Sequence, residues 1–108
     1  MKPEAQISRD CIDVMRQAGF SAWSNEQGYR KERGGTRTTP GIPDCIFAGH
    51  GWAFFVEFKT PKGKESVYQQ IFRREWNGNG GMSLVWRSAD DAFDWLVRNG
   101  IIVESGAA

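Results

Sequence analysis

The spacing of apolar and polar positions along the chain predicts seven elements of secondary structure. Residues 4–18 carry apolar side chains at helical spacing and end at Gly19, which predicts an amphipathic helix. Two more helices are predicted after serine N-caps, from Ser66 to about Trp76 and from Ser88 to about Asn99. Short apolar runs predict four strands, at residues 20–24, 44–48, 52–59 and 82–87.

The resulting order is α-β-β-β-α-β-α, which predicts an α/β fold with a mixed β-sheet flanked by helices. The second and third strands are close enough to be joined by a tight turn at Gly49-His50-Gly51. Residues 25–41 are polar and glycine-bearing and predict a long loop, while residues 101–104 fit either a short edge strand or a tail. We expect a single domain spanning residues 1–108.

Composition narrows the class of protein. The chain has 108 residues, of which 25% are charged and 40% hydrophobic, as expected for a soluble globular protein. No apolar run approaches about 18 residues and the N-terminus lacks an apolar signal core, so we expect no membrane association and a cytoplasmic location. Cys11 and Cys45 could form a disulfide, but two buried free thiols are the better interpretation. A single histidine and the lack of a CxxC motif argue against a zinc site or a histidine triad.

Charge is distributed unevenly although the net charge is only +1. Residues 30–74 carry nine basic and four acidic groups and sum to +5, whereas residues 1–29 sum to −1 and residues 75–108 to −3. This basic zone fits a polyanion such as DNA, although a solvated lysine-rich surface is the alternative. The candidate phosphate contacts are Arg30, Lys31, Arg33, Arg37, Lys62 and Lys64.

Three charged residues stand at the ends of the two central apolar strands. Asp44 opens the first strand, and Glu57 and Lys59, two residues apart, project to the same face of the second. Pairing residue 49 with 51 would set residue 44 opposite 56, next to Glu57. Two neighbouring carboxylates are ligands that a hard divalent cation prefers. The alternatives are a strand-start aspartate and an ion pair at a wet sheet end.

These residues resemble a known nuclease pattern. Pro43-Asp44 followed by Glu57-Phe58-Lys59 matches the PD-(D/E)xK signature. The longer string "GIPD...VEFKTPKGKESVYQ", with the later "SLVWRSADDAFDWL", resembles the VRR-Nuc domain family of stand-alone phage or bacterial type, over about residues 4 to 96. The resemblance implies a restriction-endonuclease-like core.

The resemblance also implies roles for individual residues. Asp44 and Glu57 would ligate Mg²⁺ or Mn²⁺, with the backbone carbonyl of Phe58 as a further ligand, and Lys59 would be the catalytic lysine. Gln69 matches the helix glutamine near the site, although it could serve only as the capping-box partner of Ser66. Glu4 matches the acidic residue of the first helix that reaches the metals, although it could be only a first-turn carboxylate.

The sequence therefore predicts a Mg²⁺- or Mn²⁺-dependent DNA endonuclease, structure-selective for branched or four-way junction DNA, in a bacterial or phage-infected cell. The alternative is a non-catalytic nucleic-acid-binding module on the same fold. The resemblance implies a homodimer, and the apolar residues available for an interface could instead pack internally. Those residues are Trp76, Ile101, Ile102, Val103, Phe93 and Trp95. Four tryptophans, Trp23, Trp52, Trp86 and Trp95, are expected in strand or helix interiors.

Overall fold

The computed structural model describes residues 2–25 and 40–103, and within them the predicted order of elements is confirmed. Residues 101–103 form no strand, so this described part of the last segment is a tail. Among the described residues, no helix is long and apolar enough to cross a membrane. The elements are α1 (Glu4–Gln17), β1 (Ser21–Ser24), β2 (Cys45–Gly49), β3 (Trp52–Phe58), α2 (Val67–Gly78), β4 (Ser83–Trp86) and α3 (Ala89–Arg98).

The four strands form one mixed sheet in the order β1-β2-β3-β4. β1 and β3 each pair antiparallel with β2, while β3 and β4 pair in parallel. A parallel pair requires a crossover connection, and α2 provides it between β3 and β4. The α/β class with a mixed sheet flanked by helices is therefore confirmed.

The hairpin between β2 and β3 has a register one residue away from the predicted one. Gly49 pairs with Trp52 and Cys45 with Val56, so the turn consists of His50 and Gly51. Both turn residues have positive φ, 52° and 84°, as a two-residue type I′ turn requires. The predicted pairing of residue 44 with 56 is therefore wrong, and Asp44 lies opposite Glu57 itself.

The hydrophobic core lies between one face of the sheet and the helices α1 and α3. Alternate residues of β3, namely Phe54, Val56 and Phe58, are buried on this face. Trp86 and Trp95 are buried as predicted, but Trp23 and Trp52 are 56% and 37% exposed. Trp23 was expected inside, but it pairs with Ile46, which alternates with the buried Cys45 and Phe47, so Trp23 lies at the edge of the sheet on the face opposite the core.

The two cysteines are buried and free, as the sequence predicted. Burial raises the pKa of the Cys11 thiol to about 12 and that of the Cys45 thiol to about 11. Both side chains therefore remain protonated at neutral pH and act as small core residues.

α2 covers the opposite face of the sheet through a few aromatic contacts. The rings of Phe72 and Trp76 stack with their centroids 5.8 Å apart. Both rings pack edge-on against Phe55 of β3, with centroid distances of 5.5 Å for Phe72 and 5.1 Å for Trp76. The predicted capping box is present, since the Ser66 hydroxyl accepts a hydrogen bond from the Gln69 N–H at 3.1 Å. No residue of α2 is fully buried, so this helix depends on its cap and on this aromatic cluster for its position.

The hairpin turn yields a test of backbone strain. Gly51→Ala places a Cβ where nothing lies within 4 Å, so any loss of stability comes from its φ of +84°. We expect unfolding in urea to show a destabilisation of about 1 kcal/mol. Gly78→Ala, in a helix and equally uncrowded, is the matched control and should leave stability unchanged or raise it. Equal effects of the two substitutions would contradict the assignment of the turn.

Candidate active site

The end of the central hairpin brings two carboxylates together. Asp44 immediately precedes β2, and its Oδ2 accepts a hydrogen bond from the Phe58 backbone N–H at 2.9 Å. The backbone carbonyl of Asp44 accepts a further hydrogen bond from the Asn25 N–H at 2.7 Å, so the pairing of β1 with β2 continues for one more residue pair, Asn25 with Asp44. Asp44 is thus held from both neighbouring strands, beside Glu57.

Glu57 is the one fully buried charged residue in the part of the chain that the structure describes, with 3% of its surface exposed. Its Oε2 accepts a hydrogen bond from the Gln69 side-chain amide at 2.7 Å and lies 3.7 Å from the Lys59 ammonium nitrogen. Its Oε1 is buried and has no hydrogen-bond partner among the described residues. A buried carboxylate oxygen without a partner is costly, and a bound water or a cation would satisfy it.

The surroundings of Glu57 favour its protonated form. Burial and the negative charge of the neighbouring Asp44 carboxylate raise the pKa of Glu57 from 4.5 to about 8. Lys59 lowers this pKa and Glu4 raises it slightly, but burial and Asp44 outweigh the lysine. At neutral pH the two carboxyl groups therefore retain a proton, whose place a cation could take.

Gln69 fills both of the roles that the sequence left as alternatives. Its Oε1 accepts the Ser66 N–H at 2.8 Å, which completes the capping box of α2. Its Nε2 donates to Glu57 at the same time. The cap thereby fixes the orientation of the amide, and the amide fixes one oxygen of Glu57.

Glu4 lies at the same cavity as Asp44. It is exposed in the first turn of α1 and lines a cavity of about 430 Å³ together with Ser8, Asn25, Asp44 and Phe58. Among residues 2–25 and 40–103, no three histidine, cysteine or acidic side chains are grouped so that they could hold a metal ion. Glu4 as a metal ligand therefore stays a prediction.

The predicted phosphate contacts are only partly within the described residues. Lys62 and Lys64 are exposed on the segment that follows Lys59. The remaining four, together with most of the predicted loop 25–41, lie outside the described residues: Arg30, Lys31, Arg33 and Arg37.

Two residues near the site were not singled out from the sequence. Asn25 donates its side-chain amide to the Pro43 carbonyl at 3.3 Å in addition to its backbone bond to Asp44. Arg87 donates to carbonyls of the turn that follows Lys59. The signal for Asn25 was its place at the end of an edge strand, but no sequence spacing links Arg87 to residues more than 20 positions away.

The donor set fits a hard divalent cation. Asp44 and Glu57 supply carboxylate oxygens side by side, and the partnerless Oε1 of Glu57 is available as a ligand. Burial and the charge of Asp44 raise the pKa of Glu57 although Lys59 lies beside it, so a positive charge placed here would be favourable. The protein alone thus leaves a binding position that a cation with oxygen preference would satisfy.

The pKa of Glu57 predicts how the stability of the metal-free protein depends on pH. Between pH 4.5 and about 8 the folded protein holds a proton that the unfolded chain has released, so raising the pH destabilises the fold. Thermal unfolding in EDTA should show this loss, and Glu57→Gln should remove it because the amide does not titrate. If the stability of the two proteins depended on pH in the same way over this range, the raised pKa of Glu57 would be contradicted.

Comparisons with known proteins agree with this fold. No model of a protein family matches the chain, and no curated protein does either. A solved structure titled "VRR_NUC domain" superimposes on it with a TM-score of 0.68 and 19% sequence identity. The match covers 88% of this chain and 94% of that structure. The chain therefore has the fold of a VRR-Nuc domain.

Proposed function

We propose that residues 1–108 form a single nuclease domain of VRR-Nuc type, which hydrolyses phosphodiester bonds in DNA with Mg²⁺ or Mn²⁺. The proposal rests on one observation, the buried carboxylate of Glu57 beside Asp44, with Lys59 next to it. A purely structural ion pair would satisfy both oxygens of Glu57, yet Oε1 is left without a partner among the described residues. The fold shared with a VRR_NUC domain structure supports the same assignment.

Each residue of the site has a distinct task in this proposal. Asp44, Glu57 and the carbonyl of Phe58 hold the cation, and Gln69 keeps Oε2 of Glu57 in place. When bound, the cation supplies Lewis-acid stabilisation of the charge on the phosphate. Lys59, only partly exposed, places a second positive charge beside the same position and stabilises the charge that develops as water attacks.

DNA binding is proposed to rest on the basic residues around the site. Lys62 and Lys64 are exposed on the segment next to Lys59, where phosphates flanking the scissile bond would lie. Arg30, Lys31, Arg33 and Arg37 add phosphate contacts on the evidence of their sequence clustering alone. We propose branched DNA, including four-way junctions, as the substrate, in the cytoplasm of a bacterial or phage-infected cell.

A homodimer forms part of the proposal, because two sites related by two-fold symmetry suit a two-fold branched substrate. The structure leaves apolar side chains for an interface, although not all of those predicted. Trp95 is buried, and Ile101 and Ile102 pack against the core, which removes them from the set. Among the described residues, the exposed large apolar residues are Trp23, Trp52, Val67, Tyr68, Ile71, Trp76, Phe93 and Val103.

The nuclease assay compares Lys59→Ala and Asp44→Asn with the wild type. The substrates are duplex, flap, splayed and four-way DNA, each with Mg²⁺, Mn²⁺ or EDTA. Lys59→Ala should reduce cleavage by at least about 100-fold with little change in DNA affinity, since it removes one charge stabilising the transition state. Asp44→Asn keeps an oxygen acceptor for the Phe58 N–H but should also raise the metal concentration required.

The wild type should cut branched DNA only with metal. Wild-type cleavage rates for both variants would disprove the site. DNA binding without cleavage under every condition would favour the non-catalytic binding module instead.

Light scattering tests the dimer. We expect a mass near twice 12.2 kDa at micromolar concentration. Ile71→Glu on α2 and Phe93→Glu on α3 place a charge on two different exposed surfaces, and the one that lowers the mass identifies the interface. A wild-type mass near one chain that junction DNA leaves unchanged would exclude the dimer.

A further inference from the structure

The segment between Lys59 and Gln69 carries a site residue at each end, yet residues 59–66 belong to no helix or strand. The last contact with the sheet is the bond from the Lys59 N–H to the Trp86 carbonyl at 3.1 Å. Beyond it the chain makes a turn, closed by a bond from the Gly63 N–H to the Thr60 carbonyl at 3.0 Å. Lys59 thus lies where the sheet ends and this turn begins, so contacts that hold the turn also restrict the movement of Lys59.

Arg87 holds the turn through a single nitrogen. Its Nη1 donates to the carbonyls of Gly63 at 2.6 Å and Thr60 at 2.7 Å, with the Pro61 carbonyl at 3.5 Å. Removing the guanidinium would take this donor from the Gly63 carbonyl and would leave the Thr60 carbonyl only the bond from the Gly63 N–H. Hydrogen bonds from a charged donor are also stronger than those from a neutral one.

Arg87 is itself fixed to the sheet and to α3. It directly follows Trp86, which pairs with Phe58 across β3 and β4. Its backbone N–H donates to Asp91 Oδ2 at 2.7 Å in the first turn of α3, where the Ser88 side chain makes no capping bond. A rigid anchor therefore lies on one side of the turn and Lys59 on the other.

No carboxylate of the described residues lies within ion-pair distance of the Arg87 guanidinium. By contrast, Arg73 is neutralised by Glu65 through two bonds, of 3.0 and 2.6 Å, further along the same segment. The Arg87 guanidinium therefore makes its direct contacts with backbone carbonyls, while Glu65 interacts with its charge at longer range. This arrangement suits a residue that orders a turn.

We propose that Arg87 is a positioning residue for Lys59, which it holds in place through the turn at Thr60–Gly63. The inference rests on the proposed nuclease function and assigns Arg87 no contact with DNA. Because three carbonyls meet one nitrogen, a lysine ammonium, with three donors on one nitrogen, retains part of the arrangement. A methionine keeps the apolar stem and loses every bond.

The experiment compares Arg87→Met, Arg87→Lys and Arg98→Met under single-turnover conditions on a cleavable branched DNA, with DNA affinity measured separately. Arg87→Met should lower the cleavage rate constant about 10- to 100-fold and leave the Kd for DNA within about twofold, since small displacements of a catalytic group carry costs of this size. Arg87→Lys should retain a substantial part of the wild-type cleavage rate constant. Arg98→Met, at the exposed end of α3, should match the wild type. An unchanged rate constant in Arg87→Met, or a loss confined to Kd, overturns the proposal.

Amide hydrogen exchange separates this inference from the nuclease assignment. Arg87→Met should speed exchange at the Gly63 amide, while Arg87→Lys and Arg98→Met should not. Unchanged exchange overturns the inference even if the variant cleaves slowly. If the wild type cleaves no DNA with any metal, the proposed nuclease function fails, and the proposed effect of Arg87 on cleavage fails with it. The exchange result then decides by itself whether Arg87 orders the turn.

Discussion

The burial of the Glu57 carboxylate beside Asp44 is the constraint around which the rest of the site is arranged. Removing a carboxylate from water costs several kcal/mol unless charge or hydrogen bonds compensate. Gln69 satisfies one oxygen and Lys59 offsets part of the charge, yet the pKa of Glu57 still rises to about 8. Burial and the charge of Asp44 therefore outweigh the charge of Lys59 at this point of the structure.

Side chains along β3 alternate between the core and the site, so the packing of the core also determines the position of Glu57. Phe54, Val56 and Phe58 face the core, while Phe55 and Glu57 face α2. The core residues fix the backbone that carries Glu57, and the Phe58 N–H fixes Asp44 in turn. The site is thus built on the best-packed strand of the protein, which gives the two carboxylates a defined separation without a ligand.

The segment from Lys59 to Gln69 carries the rest of the site, and side-chain hydrogen bonds and an ion pair hold it in place. Arg87 binds the turn after Lys59, the ion pair of Arg73 with Glu65 holds the middle, and the capping box holds Gln69. At 19% identity the shared fold establishes the architecture alone, so the proposed activity rests on Asp44 and Glu57 with Lys59 beside them. The contacts along the segment explain how a helix without a fully buried residue can orient an amide toward Glu57.

Local chemistry was readable from the sequence, because helical spacing, strand alternation and serine caps depend on neighbours within a few residues. These patterns predicted all seven elements, the capping box and the convergence of Asp44, Glu57 and Lys59. The predicted register of the β2–β3 hairpin was wrong by one residue, because His50 adopts a positive φ that is uncommon for histidine. The exposure of Trp23 followed from the pairing and the order of the strands, and the bonds from Arg87 to the turn join positions more than 20 residues apart. Only the tertiary structure could decide these features, because each depends on which distant segments the sheet places side by side.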